Sequence, residues 1–121
     1  MTGGKFEPKT PVALDPPKDT PISISELSAA NGVGDAKAYV AIKGKVFDVT
    51  GNKMYAPEGS YHVFAGHDAS YALGKTSTKP EDVKADWFSL DDKEKGVLAD
   101  WETFFTKRYN IIGKVEGATN F

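Results

Sequence analysis

Cysteine is absent from the 121 residues, histidine occurs only twice, and the formal net charge is −2. Without cysteine there is no disulfide framework, zinc–thiolate site, iron–sulfur cluster or cysteine nucleophile. The two histidines, His62 and His67, are five apart, a spacing that does not put both on one face of a helix, so they do not make a two-histidine metal site. Nor do they have the partners to clasp a haem between two loops. A near-neutral chain projects no field toward a polyanion, which argues against nucleic acid as a partner. No apolar run approaches the roughly 18 residues of a membrane span, and no signal-peptide core precedes the first charged residues. As it stands the chain is expected to be soluble, with no transmembrane segment. Enzymatic signatures are missing too. There is no G-x-S-x-G elbow and no phosphate-binding loop, and the G-x-G begun by Gly32 and Gly34 meets Lys37 where its third glycine belongs. A binding protein is expected, not an enzyme.

What is present reads as one α+β domain behind a tail. Five of the seven prolines fall between Pro8 and Pro21, in a stretch without apolar periodicity. Residues 1–21 are therefore expected to form a flexible or loosely docked proline-rich tail, and residues 22–121 the folded domain. Ser23 and Glu26 make an S-x-x-E capping box for a first helix, with Ile24 and Leu27 on its apolar face and Gly32 as its stop. Tyr39–Ile42 and Val46–Val49 are β-rich runs joined through Lys43-Gly44-Lys45, a hairpin signal. The lysines at 43, 45 and 53 read as turn and edge charges. Asp68 is the expected N-cap of a short helix ended by Gly74, and Pro80 opens another turn. The last long helix has Asp91 and Asp92 at its start, Lys107 and Arg108 at its end, and Val97, Leu98, Trp101, Phe104 and Phe105 on one face. Residues 111–115 read as a strand returning to the sheet.

The chemistry left open belongs to tyrosine, at positions 39, 55, 61, 71 and 109. Tyr39 and Tyr71 sit where amphipathic packing explains them. Tyr55 and Tyr61 bracket a single Pro57-Glu58-Gly59 turn, close enough for their hydroxyls to meet. A phenol with a pKa of about 10 binds iron only where the phenolate is favoured. Ferric iron favours it as a Lewis acid, and a second phenol donating a hydrogen bond adds to the effect. Packing residue and iron ligand both remain open on these grounds.

Three blocks, YVAIKGKVFDVT, YAPEGSYHVFAGHDAS and DWETFFTKRYNIIGKV, closely resemble the membrane-associated progesterone receptor family, nearest its fungal damage-response members. The likeness spans about residues 22–116. It implies a cytochrome b5-like haem/steroid-binding domain, a small sheet with several short helices around a haem pocket. The His-Pro-Gly-Gly turn of true cytochromes b5 is missing, and the resemblance implies instead that Tyr61 is the single axial ligand of a ferric haem b. It further implies that Tyr55 hydrogen-bonds that ligand and that Tyr109 lines the haem face. Lysine usually precedes this last tyrosine in the family; here Arg108 does, next to Lys107, and either cation suits a haem propionate. His62, beside Tyr61, competes for the axial role, although adjacent side chains diverge. The implied function is regulatory support of the haem-thiolate monooxygenases of sterol synthesis, from the cytoplasmic side and peripheral to the endoplasmic reticulum. The open second face of the haem implies haem-dependent homodimers. A haem-independent carrier of a steroid or other apolar ligand and an electron-transfer haemoprotein are the alternatives.

Overall fold

The computed structural model describes residues 16, 18–34 and 36–120; most of the expected proline-rich tail lies outside the described residues, but its last residues join the sheet, Pro21 in the first strand and Lys18 and Thr20 bonded to Ile111 and Lys114. Five strands form one mixed sheet in the order β1-β5-β3-β2-β4. They are β1 (Pro21–Ile22), β2 (Tyr39–Ile42), β3 (Lys45–Asp48), β4 (His67–Asp68) and β5 (Asn110–Val115). Three helices, α1 (Ile24–Ala29), α2 (Ser70–Lys75) and α3 (Asp92–Arg108), pack around it, with single 3-10 turns at Lys53–Tyr55, His62–Phe64 and Pro80–Asp82. This is the α+β architecture expected.

The hairpin turn is shorter than the expected three residues. Lys43 and Gly44 both have positive φ (51° and 79°), as a two-residue primed turn requires, and Lys45 already pairs with Ile42 in the ladder. Alternation along the strands then divides the chain between two cores. Val40, Ile42, Phe47 and Val49 face α2 and α3, where they meet Leu73, Leu98 and Phe105. Ala41, Val46 and Val115 face the other way, onto Ile22 and Leu27. Phe105 and Leu98 are fully buried, and burial of each side chain stabilises the fold by about 1.5–3 kcal/mol.

The expected capping box of α1 is present, and the acids expected to cap α3 form a second box. Ser23 and Glu26 exchange bonds at the start of α1, and Asp91 and Glu94 do so at the start of α3. Ile24, however, is not core. It is 64% exposed, because α1 is short and turns only Leu27 toward the sheet. Gly74 does not end α2, which runs on to Lys75 and stops at Thr76 in the left-handed region. A Cβ at Gly74 would strike the Leu90 side chain, so this glycine is where α2 and the start of α3 approach closely. Lys43 and Lys45 are more than surface charges: both ammonium groups pair with Glu102 of α3, at 3.2 and 2.8 Å.

Asp68 differs most from expectation. The N-cap of α2 is Ala69, and the Asp68 carboxylate instead organises the α1 side of the sheet. It accepts from the Ser70 amide and hydroxyl (3.0 and 2.6 Å), the Gly44 amide (3.1 Å) and Asn120 Nδ2 (2.9 Å). Asn120 also donates to the Ala85 carbonyl (2.9 Å), and its own carbonyl accepts from Trp87 Nε1 (2.7 Å). Burial raises the Asp68 pKa above the ordinary carboxylate value, and its hydrogen bonds only partly offset this.

Candidate functional site

The turn that carries the two phenols is fixed by its own backbone. Asn52 caps the Lys53–Tyr55 turn by accepting from the Met54 amide, and the Tyr61 amide donates back to the Met54 carbonyl at 2.8 Å. The loop therefore closes on itself and brings both tyrosines to the α3 side of the sheet. Their ring centroids lie 5.9 Å apart, tilted by 45°.

The two phenols have different surroundings. Tyr55 is only 2% exposed and meets Phe105 edge-on at 6.2 Å. Burial, with Tyr109 and Tyr61 adding to it, pushes the Tyr55 pKa far above that of an ordinary phenol, so its hydroxyl stays protonated and remains a donor. Tyr61 is half-buried, stacked on Phe64 at 5.6 Å and met edge-on by Trp101 at 6.1 Å. Tyr109, the C-cap of α3, packs on Phe105 at 5.1 Å, and its hydroxyl accepts from Asn52 Nδ2 at 2.6 Å. Tyr55 thus touches Tyr61 ring to ring and lies near enough to Tyr109 to feel its charge.

The cations and the histidine separate. The Arg108 guanidinium lies over the Phe104 ring at 4.2 Å, on the aromatic side. Lys107 lines a different hollow, with Lys45 and Glu102. His62 turns away from the phenols, its Nε2 within 3.1 Å of the Asn31 carbonyl oxygen. Among the described residues no group of three or more His, Cys, Asp or Glu side chains could hold a metal ion.

Two residues of the site escape a motif-based reading. Asn52 joins the tyrosine turn to Tyr109, 57 positions away; its only local signal is an asparagine before a short turn. Trp101 lines both the small hollow at Tyr61 and Phe64, about 50 Å³, and the shallow groove with Val97 and Phe104, about 280 Å³. Its position decides whether the two are one space.

The donor set suits ferric iron held by oxygen: one partly accessible phenol, a second phenol locked as a donor, apolar rings for a flat macrocycle and a cation on the same side. Residues 23–115 match the cytochrome b5-like heme/steroid binding domain. The sequence is 50% identical over 92 residues to "Probable steroid-binding protein 3" of Arabidopsis thaliana, covering 74% of this chain and 92% of that one. It is 39% identical over 117 residues to "Cytochrome P450 regulator dap1" of Schizosaccharomyces pombe, covering 90% of this chain and 67% of that protein. Human "Membrane-associated progesterone receptor component 2" shares 30% over 116 residues, which span 93% of this chain and 52% of the human protein. A solved Arabidopsis thaliana protein with a cytochrome b5-like fold superposes with a TM-score of 0.72 at 44% identity, over 80% of this chain and 91% of its own.

Proposed function

The chain belongs to the cytochrome b5-like heme/steroid binding domain family, and on that premise we propose that it is a regulatory haem-binding protein whose iron ligand is the Tyr61 phenolate. The observation that carries this is the pairing of a half-buried phenol with a buried one held protonated at a ring separation of 5.9 Å. With iron bound to Tyr61, the protonated Tyr55 beside it would be the donor that favours the phenolate. Tyr109, anchored by Asn52, completes the phenol face. Arg108 is the cation best placed for a propionate, since it lies on the aromatic side, with Lys107 as the alternative across the helix. Trp101 must turn aside for a flat ligand to reach Tyr61. The bound group is a ferric haem b, which a hard anionic ligand holds at low potential, and this disfavours electron shuttling.

The fission-yeast relative is named as a regulator of cytochrome P450. By extension, the partners of this chain are haem-thiolate monooxygenases of sterol synthesis, met at the cytoplasmic surface of the endoplasmic reticulum. No helix among the described residues is long and apolar enough to cross a membrane. Single-sided ligation leaves a face for a second copy, so sedimentation should show haem-dependent dimers.

The deciding experiment is titration with ferric haem, followed by absorption and electron paramagnetic resonance, beside Tyr61→Phe and His62→Ala. A saturable high-spin ferric signal lost only in Tyr61→Phe is expected. Loss in His62→Ala instead would move the ligand to the imidazole. Absence of saturable binding would leave a haem-independent carrier of an apolar ligand.

A further inference from the structure

We propose that the groove along α3 is a docking site for the chain's own proline-rich segment, residues 1–15, and that this segment competes with a flat ligand for the aromatic face. The competition rests on the Tyr61 reading; the docking does not. Val97, Asp100, Trp101 and Phe104 line the groove, which holds about 280 Å³. Val97, Trp101 and Phe104 each keep part of their surface in solvent. Large apolar side chains left partly in water along one concavity mark a surface with something to cover. Helical spacing carries the same face on to Arg108, whose guanidinium lies over the Phe104 ring at 4.2 Å. The stripe therefore runs from Val97 to the C-terminal end of α3.

The chain enters the fold at that same end. The Lys18 amide donates to the Ile111 carbonyl at 2.9 Å, just past Tyr109, the C-cap of α3. Thr20 and Ile22 then follow β5 in parallel, away from Tyr109, so the residues before Lys18 start beside the end of the groove. From Arg108 back to Val97 the helix rises about 16 Å. An extended polyproline stretch covers about 3 Å per residue, so roughly six residues reach the far end. Residues 1–15 supply what such a groove takes. Pro8 and Pro11 make a P-x-x-P, flanked by Phe6, Val12 and Leu14. Proline-rich segments dock in aromatic-lined grooves because their extended form is preset and little entropy is lost. Charge follows in matching order: Asp15 starts at the Arg108 end, and Lys9 lies farther out, toward Asp100. A segment docked there covers Trp101, the ring that must turn aside before a flat ligand reaches Tyr61.

The chain has no cysteine, so Thr10→Cys gives a nitroxide one attachment point inside the P-x-x-P. The two tryptophans serve as reporters in the full, haem-free chain labelled with nitrogen-15. The nitroxide should broaden the Trp101 indole signal. It should spare Trp87, which bonds to Asn120 beside β4, at the far edge of the sheet from β1. Asp100→Lys, a change at an exposed position, should cut the broadening about threefold, the scale of one surface ion pair. Pro8→Ala with Pro11→Ala should cut it at least as much. Ferric haem should bind that double variant about threefold tighter than wild type, because a larger fraction of the chain then has an open groove. No broadening at Trp101, or broadening indifferent to both changes, would overturn the docking, whatever haem does. Broadening between a spin-labelled chain and a separate nitrogen-15 chain would assign the contact to a second copy and overturn the intramolecular site. Equal haem affinity in wild type and the double variant would overturn the competition. Broadening as expected with no haem binding in either chain would sink the Tyr61 reading and leave the docking standing.

Discussion

On the α3 side of the sheet, Phe47, Tyr55, Tyr61, Trp101 and Phe105 meet ring to ring, at centroid separations of 5.4 to 6.2 Å. On the α1 side, Leu27, Ala41, Val46 and Val115 make a small aliphatic core beside the hydrogen bonds of Asp68 and Asn120. The contrast concerns where the polar atoms are. Among the rings they sit at the tips of the phenols, so a hydroxyl can be removed while the packing stays. Around Asp68 donors from Ser70, Gly44 and Asn120 converge on one carboxylate, so removing it strands them. One side can therefore change its ligand chemistry cheaply, and the other cannot.

The largest test of this contrast is deletion of a ring from the aromatic side. Phe105→Ala should cost about 3–5 kcal/mol by urea denaturation, since the side chain is fully buried against Phe47, Tyr55 and Tyr109. Removal of one oxygen on the same side should leave stability within about 0.5 kcal/mol of wild type. Yet Tyr61→Phe should abolish the saturable ferric signal, a loss of more than about a hundredfold, because it deletes the ligand atom itself and not a group behind it. A drop in stability comparable with Phe105→Ala would show that the phenol is structural.

On the α1 side, a single-atom change should register in stability itself. Asp68→Asn places an amide N–H among donors from Ser70, Gly44 and Asn120 and should cost about 1–3 kcal/mol. Tyr55→Phe comes next. It keeps the buried ring, removes the donor, and should lower haem affinity about tenfold in the same titration.

The smallest effects are in acid, and they have opposite signs. Burial raises the Glu102 pKa, but Lys45 and Lys43 outweigh it, so the folded value lies below the unfolded one. Its contribution is present above the unfolded pKa of about 4.3 and is lost as pH falls through the folded value. Asp68 is raised on folding, so it favours the folded state increasingly as pH falls through its folded value toward the unfolded one near 3.9. Urea midpoints across this range should fall less steeply in Glu102→Gln than in wild type. The difference should be under about 1 kcal/mol, because solvent still reaches Glu102 and both lysines and screens them.

Elements whose causes are local were legible in the sequence. The Ser23–Glu26 capping box, the capping acid Asp91, the hairpin and the apolar stripe of α3 each depend on residues within one or two turns of one another, and each is present. The meeting of Tyr55 with Tyr61 was legible for the same reason, since both sit on one turn. Ile24 was misjudged because periodicity cannot say how deep a short helix sits. Asp68 looked like a cap because its partners Gly44 and Asn120 are remote in sequence. The Asn52–Tyr109 bond is hidden in the same way. The roles assigned to the phenols came from family resemblance; periodicity alone could not separate a ligand from a packed ring.

Gly59 lies in the turn between the two phenols, where a Cβ would collide with the carbonyl oxygens of Lys53 and Met54. The Met54 carbonyl is also the one that receives the Tyr61 amide. The spacing of the phenol pair is thus set by the absence of a methyl group at a position that touches neither ring. Variation there would act as a remote dial, retuning how strongly one hydroxyl supports the other while every side chain of the site stays the same.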